Sequence, residues 1–208
     1  MILDLHTHSI KSDDGRARVE TYCTWIRKRG LQIDGFVLTE HRQFDDESDY
    51  SELAREFGLR ILKGSEVETD YGHVLVFGIN DRMRAAFDFA SIDLPLGLVL
   101  EEAERCGGVA VPCHPGRPTV GMCAHYAERG AVPGVHVIET RNGGSRNGED
   151  AAALALAEEF GYRGIGGSDA HLVSQIGRCA TRFEEEIQNE DDLVRALCSG
   201  KFEAITWT

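Results

Sequence analysis

Met1-Ile2-Leu3-Asp4-Leu5-His6-Thr7-His8 opens the chain with an apolar run that ends in two histidines one residue apart. In extended backbone the side-chain period is two, so His6 and His8 project to the same side of a strand end. The same grammar recurs along the sequence: a short apolar run, a turn, then a segment of helical periodicity, which reads as an α/β domain. Strands are expected over 1–5, 35–39, 59–65, 73–79, 108–113, 134–138, 163–166, 178–183 and 202–206. Most are continuous apolar runs, as in sheets covered on both faces. Helices are expected over 17–30, 49–57, 95–106, 120–129, 148–160 and 189–199, closed by Gly30, Gly58, Gly107, Gly130, Gly161 and Gly200 as C-caps. Residues 80–94 fit the pattern least well and read as a helix followed by a loop.

The 208 residues contain no repeat, linker or composition break, so one continuous domain over 1–208 is the simplest organisation. With 42% apolar and 27% charged residues, disordered, collagen-like and low-complexity classes are excluded. A net charge of −13 argues against broad binding to long nucleic acid or to anionic membranes, so an anionic substrate requires a local positive centre. No run approaches the roughly 20 apolar residues of a bilayer crossing, and no basic leader precedes an apolar stretch, which points to a cytoplasmic location. The six cysteines are scattered without C-x-x-C spacing and read as reduced, mostly buried thiols.

Six of the eight histidines lie at the ends of apolar runs, most with a carboxylate nearby. Asp13 lies in the turn after His6 and His8, His41 follows the second strand, and Glu66 ends the third. A hairpin around Asp70-Tyr71-Gly72 would bring His73 to Glu66 from the adjacent strand. His114 follows the run Gly-Val-Ala-Val-Pro-Cys, and Asp169 and His171 follow Gly-Ile-Gly-Gly-Ser. These nine residues can converge at the C-terminal side of one sheet or barrel, where α/β folds build their sites. Six imidazoles and three carboxylates suit zinc, manganese or iron, and nine donors exceed the needs of one ion, so a cluster of two or three divalent metals follows. Strand alternation would turn Cys113 away when His114 points in. His125, within a helix, and His136, within a strand, stay outside the site.

These residues resemble the PHP (polymerase and histidinol phosphatase) family of metal-dependent phosphoesterases. Asp4 to Ser9 (D-L-H-T-H-S) with Ser12-Asp13 is similar to its first motif, Thr39 to His41 (T-E-H) to its second, Cys113 to Arg117 (C-H-P-G-R) to its third, and Gly167 to His171 (G-S-D-A-H) to its fourth. Gly64 to Glu68 and the run from His73 resemble the segment that carries a bridging glutamate and the next histidine. The resemblance implies a distorted (β/α)7 TIM-like barrel with the metal site at the C-terminal ends of the strands. It also implies a first metal among His6, His8, Glu66 and Asp169, a second shared by Glu66 with His73 and His114, and a third held by Asp13, His41 and His171. Glu40 stands where the family usually has Asp, which bears on the geometry around His41.

Three divalent ions against Asp13, Glu66 and Asp169 leave a local excess of about +3, which welcomes an anion despite the acidic surface. The implied chemistry is hydrolysis of a phosphate ester, whether a small phosphomonoester, a nucleotide or a short oligonucleotide, by a metal-bridging hydroxide held by His6, His8, Glu66 and Asp169. His171 and Asp169 are candidate acids for the leaving group only if they are not fully occupied as ligands. Arg117 and Arg178 are candidate phosphate contacts, and Glu139 is expected to orient a histidine ligand. Two alternatives are an amidohydrolase-type C–N or C–O hydrolase, which also begins from H-x-H, and a catalytically silent metal-stabilised module. Against the first, Asp13, His41 and His171 supply a third ion site that C–N hydrolysis does not need. Against the second stand intact donors at all nine positions.

Overall fold

The opening run forms β1 (Ile2–Thr7), buried from Leu3 onward, and the computed structural model of the chain describes residues 1–207. β1 pairs in parallel with β2 (Gly35–His41), and β2 with β3 (Arg60–Thr69), in a register that sets His41 opposite Glu66. β4 (Gly72–Phe77) returns antiparallel to β3, and β5 (Val109–Pro112) is antiparallel to β4. β6 (Val137–Asn142) and β7 (Arg163–Gly167) form a parallel pair. An isolated parallel bridge, Thr7 to Ala170, ties the segment after β7 back to β1. Two further strands, β8 (Cys179–Phe183) and β9 (Phe202–Thr206), extend the sheet in the order β5-β4-β3-β2-β1-β8-β9. The fold is therefore an α/β, distorted TIM-like barrel. Its distortions are the reversed β4 and the antiparallel β8–β9 pair laid beside β1.

The helices are α1 (Val19–Arg29), α2 (Ser51–Phe57), α3 (Asp81–Arg84), α4 (Leu96–Arg105), α5 (Met122–Arg129), α6 (Glu149–Phe160) and α7 (Glu190–Ser199). Asn80 and Asn189 cap α3 and α7 by accepting the amides of Met83 and Asp192. Gly30, Gly58, Gly161 and Gly200 are left-handed C-caps as expected. Cys106, however, caps α4, with Gly107 one step beyond, and Gly130 leaves α5 with ψ near extended.

Leu3, Leu5, Val37, Leu62, Leu75, Phe77, Val111 and Ile165 pack together inside the barrel, with Leu193 and Leu197 of α7 against them. A second cluster lies between β4 and helices α4 and α6, and a third under α1, so apolar layers cover both faces of the central strands. Among the described residues no helix is long and apolar enough to cross a membrane.

Candidate metal centre

Glu66 is the hub. It lies within β3, which runs four residues beyond the expected end, and its side chain is 1% exposed. His6 Nε2, His8 Nε2 and His41 Nδ1 lie 3.0, 3.2 and 3.1 Å from Oε2. His73 Nδ1 and His114 Nε2 lie 2.7 and 3.1 Å from Oε1. The β3–β4 hairpin delivers His73 because its cross-strand partner is Glu68, on the same face as Glu66. Asp169 completes the inner group, its Oδ1 3.4 Å from His6 Nε2 and 3.3 Å from His8 Nε2. His171 Nε2 lies 3.3 Å from His41 Nε2.

Regular strand alternation does not account for these directions. Leu3 and Leu5 face the barrel interior, so strict alternation would turn His6 outward. The β1–β2 register shifts between Asp4 and Thr7, a bulge that brings His6 inward as well. A second shift lies between Glu139 and Arg141 in β6. His114 and Asp169 have φ of 32° and 51°, left-handed values that cost a non-glycine residue of order 1–3 kcal/mol. The turn at His114 corrects the expectation for Cys113. Cys113 shares the inward parity of Val111, and the left-handed step at His114 swings the imidazole to the same side. Cys113 Sγ thus lies 3.4 Å from both Glu66 Oε1 and His114 Nε2.

Asp13 is not brought to this group. It is 67% exposed and paired with Arg42 at 2.7 Å. Asp14 stands there instead, with Oδ2 3.1 Å from His171 Nε2 and Oδ1 3.5 Å from His41 Nε2. The turn explains the shift. Gly15 donates its amide to Ser12 O, and Ser12 is fixed because its hydroxyl donates to Glu40 at 2.6 Å and accepts the His41 amide at 3.0 Å. Glu40 also accepts the Ser9 amide, so its longer side chain binds the first loop to the second strand end.

A buried frame holds the donors. Glu139 faces His6 Nδ1 at 3.1 Å and accepts the His114 amide and Asn142 Nδ2, each at 2.8 Å. Asp4 accepts the amides of Ser168 and Gly177 at 2.8 Å, and burial pushes its pKa up to about 6. The Tyr22 hydroxyl bridges His8 O at 2.7 Å and Ala170 O at 2.8 Å. Asp4, Asp14 and Tyr22 escaped the sequence reading. Only Asp4 left a signal there, as the carboxylate two residues before His6. Arg117 donates to Asp169 Oδ2 at 2.7 Å and to Asn142 at 3.2 Å. Arg178 is exposed beside Gly143, on a separate surface cavity of about 520 Å3 lined also by Trp25 and Trp207.

Burial disfavours charge on His6, His8, His41, His73 and His114. For His6 the carboxylates of Glu139, Asp169 and Glu66 outweigh burial and hold the pKa well above its ordinary value. Against the same burial, Asp169 and Glu66 raise His8 to about 9. Burial prevails at His41 and His114, which are lowered. Glu66 and Asp169 lie well below the carboxylate range despite burial, because imidazoles surround them.

The donor set fits divalent metal. With Nδ1–H turned to Glu139, a neutral His6 presents its Nε2 lone pair to two carboxylate oxygens, and acceptors facing acceptors require either protons or cations. His171 Nδ1 lies 3.0 Å from Asp169 O, which leaves Nε2 toward Asp14 in the same way. His8 Nε2 and His114 Nδ1 are buried without a hydrogen bond. Three groups have donor atoms all within 4.8 Å of one another: His6, His8, Glu66 and Asp169; His6, Glu66, Cys113 and His114; and His8, His41 and His171.

Comparison with known proteins places the fold. Similar solved structures include PsfC of Pseudomonas syringae PB-5123, 20% identical with a TM-score of 0.71 over 100% of this chain and 91% of that one. A two-domain protein of Bacteroides vulgatus described as containing a predicted PHP-like metal-dependent phosphoesterase is 22% identical, with a TM-score of 0.66 over 99% of this chain and 64% of that one. The lesion-specific endonuclease Q of Pyrococcus furiosus is 14% identical, with a TM-score of 0.69 over 98% of this chain and 57% of that one. These likenesses are of fold. The model of the PHP domain matches residues 4–168 and that of a PHP-associated region matches residues 149–202, so the chain belongs to the PHP domain family.

Proposed function

We propose that residues 1–208, acting as one domain, form a metal-dependent phosphoesterase that hydrolyses a small phosphorylated molecule, a nucleotide or a short oligonucleotide. The observation that carries this reading is the convergence of five imidazole nitrogens on the two oxygens of one buried carboxylate, Glu66. Two to three divalent ions, zinc, manganese or iron, fit the donors. His6, His8, Glu66 and Asp169 would hold the first, Glu66, His73 and His114 the second, and His41, His171 and Asp14 the third. Bound there, such ions would acidify water toward a pKa of roughly 7 and neutralise charge on a phosphoryl group.

The chain's own residues supply positioning. Glu139 fixes the His6 ring so that Nε2 faces Glu66, and its other oxygen holds the His114 backbone. Arg117 neutralises the outer oxygen of Asp169 through one nitrogen, which leaves the rest of its fork for a phosphate oxygen. Arg178, exposed beside Gly143 on a cavity that Asn142 also lines, would offer a second phosphate contact. His171, engaged through both ring nitrogens, serves as a donor to metal rather than as the leaving-group acid.

The phosphoesterase reading is preferred to amidohydrolase chemistry because His41, His171 and Asp14 form a donor group beyond the first two. The charge of −13 favours small substrates over duplex DNA. The endonuclease Q complexed with a 27-mer abasic duplex nevertheless makes such a duplex a required comparison. The test measures metal content, then hydrolysis of mono- and diester phosphates, a short oligonucleotide and an abasic duplex, with and without Mn(II). Turnover of a small ester that is abolished by His8→Ala with Asp169→Asn is expected. Fully metallated protein that hydrolyses none of them would refute the proposal.

A further inference from the structure

We propose that Cys113 is a sulfur donor to the second metal alongside Glu66 and His114; these three donors and His6 lie within 4.8 Å of one another. The inference rests on the metal centre proposed above and extends it to a residue whose type selects the metal. Cys113 is fully buried, and its Sγ lies 3.4 Å from Glu66 Oε1 and 3.4 Å from His114 Nε2, which are themselves 3.1 Å apart.

Those separations match the edges of a coordination polyhedron. With zinc–sulfur near 2.3 Å and zinc–nitrogen near 2.0–2.1 Å, tetrahedral angles place sulfur and nitrogen ligands about 3.5 Å apart, and nitrogen and oxygen ligands about 3.3 Å apart. Without metal the thiol donates to Glu66 Oε1, and the same sulfur already stands at ligand spacing from His114 Nε2, so exchange of the S–H proton for a cation needs little movement. The backbone supports the same conclusion. His114 adopts φ 32°, a strained value for a non-glycine residue, and its effect is that both neighbours, Cys113 and His114, face the centre. The other five cysteines belong to no such donor group among the described residues.

A thiolate there makes the second position softer than the first and third, whose donors are nitrogen and oxygen. Soft donors favour zinc, cobalt and iron over manganese and magnesium. The chain is thereby adapted to hold a tightly bound, sulfur-ligated ion beside more exchangeable ones.

The test has readouts other than activity. Protein loaded with Co(II) is expected to show a near-ultraviolet sulfur-to-cobalt charge-transfer band together with the visible d–d bands. Cys113→Ser should lose the former and keep the latter. In X-ray absorption, the zinc-loaded wild type should show one sulfur neighbour at about 2.3 Å, a result that stands even if the variant folds poorly. Zinc affinity at the tightest sulfur-ligated position should fall at least about tenfold in Cys113→Ser, while manganese affinity changes less. Metal bound with d–d bands but no charge-transfer band and no sulfur shell overturns the role of Cys113 and leaves the phosphoesterase proposal standing. Failure to bind any of these metals overturns both.

Discussion

Glu139→Gln separates the architecture of the site from its metal ligands in a single substitution. Glu139 serves three donors: His6 Nδ1 at one oxygen, and the His114 amide with Asn142 Nδ2 at the other. An amide offers only one oxygen. It will keep that oxygen toward His114 and Asn142, where two N–H groups point, and turn its NH2 toward His6. Nδ1 must then accept, so the proton moves to Nε2, which can donate to Glu66 Oε2 at 3.0 Å. With His6 neutral the metal-free fold keeps its hydrogen bonds, so at a pH where the ring is uncharged its melting temperature should change little, whereas the protonated ring loses the carboxylate that most favours it. Metal binding, however, needs the Nε2 lone pair. Returning the proton to Nδ1 would set N–H against N–H in a buried pocket, at a cost of about 1–3 kcal/mol. At 1.4 kcal/mol per decade this predicts roughly 10–100-fold weaker binding at the first metal position. A competition titration against a chromophoric chelator measures the affinity, and 15N chemical shifts of His6 report the tautomer. Affinity within twofold of wild type, or a retained Nδ1 proton, would refute the reasoning.

Metal uptake should release protons. The His8 pKa stands at about 9 in the metal-free protein because Asp169 and Glu66 outweigh burial, and a ligand imidazole must be neutral. Its proton is present below that value and must be displaced, so apparent affinity should rise with pH by about tenfold per unit for this one proton and level off above pH 9. Calorimetry in two buffers of different ionisation enthalpy counts the protons, and zero release would contradict the assignment. Asp14→Asn should remove one metal equivalent. Asp13→Asn, which breaks only an exposed pair with Arg42 worth at most about 1 kcal/mol, should not; the opposite metal contents would restore Asp13 as the donor. Tyr22→Phe strips the hydroxyl from His8 O and Ala170 O in a fully buried setting and should cost about 1–3 kcal/mol in urea unfolding. An unchanged midpoint would show that the two loops need no such tie.

The order of strands and helices was legible because each element satisfies a simple local rule. The strands expected at 35–39 and 202–206 and four of the glycine caps behave as composition and periodicity require. Long side chains on facing strands also found one another: the Glu66–His73 contact follows from hairpin pairing alone. Ends were less legible. β3 runs to Thr69 rather than to residue 65, because pairing with β4 and the Thr69–Leu94 bridge continue the strand past the apolar run.

The errors fall where the backbone departs from its period. Strand alternation turns Cys113 away from the site, and Asp13 enters it through the resemblance of Ser12-Asp13 to the family's first motif. Alternation presumes regular geometry. A bulge re-aims His6, a left-handed residue turns His114 to the side of Cys113, and the tight turn closed by Gly15 substitutes Asp14 for Asp13. None of these deviations is stabilised by the residue that adopts it. Each is held by partners distant in sequence: Asp4 on the Ser168 amide 164 positions away, Glu139 on the His114 amide 25 positions away, and Glu40 on Ser12 28 positions away. A site that gathers many donors into a few ångströms cannot be built from regular strands, whose neighbouring side chains diverge. The irregularities that defeat local reading are therefore the same features that bring the donors together. The buried carboxylates of Asp4, Glu40 and Glu139, each accepting backbone amides, are what hold those irregularities in place.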